Sequence, residues 1–119
     1  MKYAHLFLSL GLLLTACSRQ DAKLLGKQVA GSWTSSNSHT TAIYDPDGSF
    51  LITTRSDTSN SLAGTWQIKD RLLITTVTNA PDMFRALVGE VMQYNITHLD
   101  GHQLEFEDVK THATFKYSR

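Results

Sequence analysis

The chain has 119 residues, with eleven basic and eleven acidic side chains and a formal net charge of zero. That length supports one domain with a single core. A chain without excess positive charge argues against a nucleic-acid binder, which needs a markedly basic surface. There is one cysteine, Cys17, so no disulfide forms within the chain and the fold rests on its hydrophobic core.

Met1-Lys2 gives a positive start, and Leu6 to Leu14 is apolar apart from Ser9. This run of roughly ten residues is too short for the about 20 that span hydrocarbon, which predicts a processed leader and not a retained transmembrane helix. Thr15 and Ala16 are small enough for a peptidase groove. From the residues alone, a plain secretory signal or a short buried helix remain the alternatives. Leu14-Thr15-Ala16-Cys17 resembles the lipobox of bacterial lipoproteins. The resemblance implies that residues 1–16 are a signal peptide, that the Cys17 sulfur receives a diacylglycerol, and that Cys17 becomes the first mature residue. Two or more acyl chains hold a domain firmly, at about 0.8 kcal/mol per buried methylene. Ser18, not Asp, follows the cysteine, which by the same resemblance favours the outer membrane, with the domain facing the periplasm. A lipidated Cys17 leaves no thiol for catalysis or metal binding. Loss of Lys2 with the leader tips the charge balance to one negative.

Residues 17–30 read as a tether and short amphipathic helix. Asp21 can cap it, Ala22, Leu25 and Val29 share a face, and Gly31 ends it. Arg19, Lys23 and Lys27 form a basic stripe, suited to anionic headgroups at about 1 kcal/mol per charge or simply to solvent.

Residues 31–119 read as all-β, a small eight-stranded antiparallel meander that closes as an up-and-down barrel. The predicted strands are Trp33–Asn37, Thr40–Tyr44, Ser49–Arg55, Leu62–Lys69, Arg71–Thr78, Val91–His98, Gln103–Asp108 and Ala113–Tyr117. Asp45-Pro46-Asp47-Gly48 is a turn in which Pro46 pre-sets φ and Gly48 takes the left-handed position. Asp57 to Asn60 reads as a polar loop, Asp70 as a tight turn and Asp100-Gly101 as a hairpin turn. In Leu72-Leu73-Ile74 both faces are apolar, so alternation cannot say which is inside. Asn79 to Gly89 reads as one or two helical turns or an irregular loop.

A short helix followed by Gly31-Ser32-Trp33 resembles the opening of lipocalins. Asp47-Gly48-Ser49-Phe50 and Gly64-Thr65-Trp66-Gln67-Ile68 are similar to runs in bacterial lipocalin-like lipoproteins. The resemblance implies a calycin-type barrel whose Trp33 packs structurally across the closed end, under the helix. Lipocalins also carry a helix after the last strand and a basic residue near the barrel end. Here Arg119 directly follows the last strand and is the candidate for that basic cover.

Two functions fit such a barrel. In the first, it binds a small apolar or amphipathic ligand, with Trp66, Ile68, Tyr94 and Phe106 lining the site and Met83, Phe84 and Leu87 covering the mouth. In the second, the bulk of Trp33, Phe50, Trp66, Tyr94, Phe106, Phe115 and Tyr117 fills the interior. The domain is then a protein-binding envelope module working through loops or an edge. His98, His102 and His112 can gather near one hairpin and hold zinc with Asp100 or Glu105, but solvated loop residues are the simpler reading. Glu105 and Glu107 alternate with Leu104 and Phe106 and belong to the wet face. No phosphate loop or nucleophile elbow is present, so the expectation is a non-enzymatic protein without cofactor or metal. Asn95-Ile96-Thr97 spells a glycosylation sequon, without meaning in a bacterial lipoprotein.

Overall fold

The computed structural model describes residues 22–35, 39–54 and 57–119; the expected signal peptide, residues 1–16, and Cys17 lie outside the described residues. A helix over residues 22–29, α1, leads into eight strands. These are β1 (Gly31–Ser35), β2 (Thr40–Tyr44), β3 (Ser49–Thr54), β4 (Asp57–Lys69), β5 (Leu72–Asn79), β6 (Val91–Leu99), β7 (Gln103–Asp108) and β8 (Thr114–Ser118). Each strand pairs antiparallel with the next, and Thr34 opposite Ser118 joins β1 to β8, which closes the barrel. No helix among the described residues is long and apolar enough to cross a membrane.

Period-two alternation decides which residues face inward. Trp33, Ala42, Tyr44, Phe50, Leu73, Val77, Ile96, Leu104 and Phe106 form one buried cluster with Val29 of α1. Leu73 is fully buried, as are its row-mates Thr75 and Val77, while Leu72 and Ile74 are half-buried on the outer face. This settles the ambiguous triplet. The whole described core lies between Leu25 and Tyr117. That core falls within the segment Ser18–Arg119.

One expectation is corrected: Asp57 to Asn60 is strand, not loop. Asp57 pairs with Thr54 of β3, and this pairing outweighs the polarity of the local sequence. A register shift also separates Ala63 from Gly64 against β5. A Cβ on Gly64 would lie 1.9 Å from the Thr76 carbonyl oxygen and 2.7 Å from Phe50, so only glycine allows the two backbones to approach this closely. The β2–β3 turn holds Gly48 at φ 96°, with its N–H donating to the Asp45 carbonyl at 3.0 Å. Between β5 and β6 the chain forms a 3-10 helix over Asp82–Leu87, broken at Phe84 by φ −116° and ψ 17°.

Candidate ligand-binding cavity

The meander places α1, the 45–48, 70–71 and 100–102 turns and Arg119 at one end of the barrel. That end is closed. Trp33 has no exposed surface, and its Nε1–H donates to the Val29 carbonyl at 2.8 Å. The Arg119 guanidinium lies 3.9 Å over the Trp33 ring, a cation–π contact. It also donates to Ala30 O at 2.9 Å, Gln28 O at 3.0 Å and Gly101 O at 3.2 Å. Two of these acceptors lie at the C-terminal end of α1, where unsatisfied carbonyls favour a cation. Trp66 extends the plug: its ring meets Tyr44 edge-on at 5.5 Å, and its Nε1–H donates to Asp45 O at 2.8 Å.

The opposite half is hollow. A cavity of about 670 Å³ opens there, bordered by residues from all strands. One wall is an aromatic ladder from β6, β7 and β8. Phe106 stands opposite Phe115 in the register, with ring centroids 5.4 Å apart. Tyr94 lies 4.8 Å from Phe106 and 5.8 Å from Phe115, and Tyr117 stacks on Phe106 at 5.6 Å. The facing wall is smaller: Ile52, Leu62, Thr75 and Val77, with Phe50 and Tyr44 below. These rings pack on one another along that wall, and the cavity lies beside them.

The polar groups of the cavity are hydroxyls. Burial pushes the Tyr44, Tyr94 and Tyr117 phenols up, Tyr94 to about 12, so all three are neutral at physiological pH. The second cause at Tyr94 is the negative charge of Asp108, its cross-strand partner. Tyr94 donates to the Met92 sulfur at 3.2 Å. Lys116 is the one charged residue among the described residues lining the cavity. It alternates with the inward Phe115 and Tyr117 and pairs in register with Glu105, so its ammonium belongs to the outer face.

Of the residues expected to bind ligand, Tyr94 and Phe106 line this cavity. Trp66 and Ile68 do not. They face inward, but they lie near the closed end of β4, where they border a separate groove of about 450 Å³ against Ala22, Gly26 and Ala30 of α1. Met83 and Phe84 do not line the cavity either, being 78% and 39% exposed on the 3-10 helix, while Leu87 packs on the core. Thr75, Met92, Phe115 and Tyr117 also line it, with Ser35, Thr40, Thr54 and Thr114. The β8 alternation already pointed to Phe115 and Tyr117. Thr75 was hidden by the two-sided apolar triplet before it.

Two of the histidines sit in separate local pairs. His98 Nε2 lies 2.9 Å from Asp100, and His112 Nδ1 lies 2.8 Å from Glu107. Among the described residues no group of three His, Cys, Asp or Glu side chains comes together as a metal site.

Plugged at one end and hollow at the other, this is a closed eight-stranded up-and-down barrel that fits a calycin-like fold. Comparison with models of known protein families gives no match, and comparison with characterised proteins gives none either.

Proposed function

We propose that the chain is a lipid-anchored bacterial envelope protein whose barrel binds a small apolar or amphipathic molecule and carries out no bond chemistry. The observation that carries the binding reading is the cavity of about 670 Å³. It lies within the roughly 300–1,000 Å³ typical of small-molecule sites, and its walls combine apolar surface with a few oriented hydroxyls. Burial of apolar area supplies the driving force. The anchor rests on the sequence around Cys17, and attachment at the outer membrane, facing the periplasm, belongs to the same proposal.

Native mass spectrometry of Ser18–Arg119, incubated with an envelope lipid extract, tests the binding reading. The expected result is a stoichiometric adduct that disappears when Tyr94 or Phe106 is changed to a charged residue. A bare mass at every extract concentration would overturn it. Incorporation of labelled palmitate into the full chain, abolished by Cys17→Ser, tests the anchor separately.

One observation favours a protein-binding module as a second reading. Met83, Phe84, Val88, Val91 and Val109 are exposed apolar residues, 39–78% accessible, on or beside the connections at the open end. A partner covering them would use the loops and leave the cavity aside, as expected for a module acting through its surface.

A further inference from the structure

The cavity is not an even apolar space, and its asymmetry carries information about what fits it. Four aromatic rings stand on one side, and each packs against at least one of the others. Phe106 is sandwiched, with Phe115 and Tyr117 stacked at interplanar angles of 29° and 18°. Phe115 is different: it belongs to the inward row yet is 36% exposed, so part of its surface stays open. An open aromatic ring beside other rings prefers another ring, offset or edge-on, over an alkyl chain of equal area.

Charge narrows the choice further. The lining offers no inward cation, since Lys116 is out of phase with the inward row. The charge that acts on Tyr94 is the negative Asp108, its partner in the register, which opposes ionisation of the phenol. A carboxylate or phosphate drawn into this space would lose water without gaining a counter-charge, which is costly. Neutral phenol and threonine hydroxyls, by contrast, both donate and accept, and they match a hydroxyl or carbonyl on a neutral guest.

From this wall and this lack of inward positive charge, we infer that the ligand is a neutral, planar aromatic molecule with a hydroxyl or carbonyl group, stacked on Phe115. The inference rests on the proposed binding function and names its ligand class.

Calorimetric titration of Ser18–Arg119 at neutral pH with 2-naphthol, 1-decanol, decanoate and N-methylquinolinium tests it. 2-Naphthol is expected to bind most tightly, about 10-fold or more above decanoate. Phe115→Leu retains apolar area but removes the ring. It is expected to weaken 2-naphthol about 2- to 10-fold and to leave 1-decanol within about 2-fold. Tyr94→Phe, which keeps the ring, reports on the hydroxyl and is expected to weaken both hydroxyl-bearing probes, 2-naphthol and 1-decanol. Circular dichroism of each variant establishes that it is folded.

Decanoate or N-methylquinolinium binding as tightly as 2-naphthol would overturn the neutral class. An equal effect of Phe115→Leu on 2-naphthol and 1-decanol would overturn the stacking. If 1-decanol binds and 2-naphthol does not, the aromatic class fails while the cavity reading stands. If no probe binds and the lipid extract leaves no adduct, the binding function itself fails.

Discussion

The two halves of this barrel are built from the same strands and the same kinds of side chain, yet one is solid and the other hollow. At the closed end, each large group has a defined partner: Trp33 bonds Val29 and lies under Arg119, and Trp66 bonds Asp45 and abuts Tyr44. At the open end, Tyr94, Phe106, Phe115 and Tyr117 pack on one another along a single wall and leave about 670 Å³ beside them. Total aromatic bulk does not decide whether a small barrel is full. What decides it is where the rings pack, and here four of them share one wall.

The sharpest way to break this contrast is to empty the plug. Trp33→Ala removes a fully buried indole and is expected to cost about 3–5 kcal/mol in urea unfolding. A loss below about 1 kcal/mol would mean that the closed end does not hold the fold. Arg119→Ala is expected to cost about 1–2 kcal/mol, from a cation–π contact and three bonds to backbone carbonyls. Arg119→Lys should recover only part of this, because an ammonium lacks the guanidinium fork.

Titration tests the open half. Tyr94 is raised by burial from the ordinary 10.0 to about 12. Above pH 10 the unfolded chain loses this proton while the folded chain keeps it. Stability should therefore fall as the pH rises through that interval, with tyrosinate absorbance lagging behind that of free tyrosine. An unshifted absorbance midpoint would contradict a buried hydroxyl wall.

The smallest effect belongs to the turn at the closed end. Backbone N–H donation from His102, with further bonds from His98 and Gln103, lowers the Asp100 carboxyl to about 2 from the ordinary 3.8. Because the folded value is depressed, the stabilisation is present above 3.8 and is lost as the pH falls through about 2. An NMR titration of Asp100 should show the low midpoint, and Asp100→Asn should remove that acid-side dependence.

Much of the architecture was legible because alternation and turn chemistry are local. Asp45 to Gly48 and Asp100-Gly101 marked hairpins, and the Trp33, Phe50 and Phe106 rows marked the interior. Failures arose where the deciding contact is distant or the signal cancels. Arg119 was reached as the basic cover only through the family resemblance, because nothing near it in sequence announces carbonyl partners at Gln28 and Ala30, 91 and 89 positions away. Trp66 and Ile68 were correctly read as inward, but alternation gives a face and not a height along the axis, so they fall beside the plug. The polar Asp57–Asn60 segment is strand, entered through the pairing of Asp57 with Thr54 of β3, which its own composition does not reveal.

The most direct test of a plugged half and a ligand-binding half is a two-dimensional NMR titration of Ser18–Arg119 with 2-naphthol. The account predicts saturable shifts at Tyr94, Thr75 and Phe115, while the Trp33 and Trp66 indole N–H signals stay in place. Shifts concentrated at the two indoles, with Tyr94 and Phe115 unmoved, would contradict it and move the binding site to the groove beside α1.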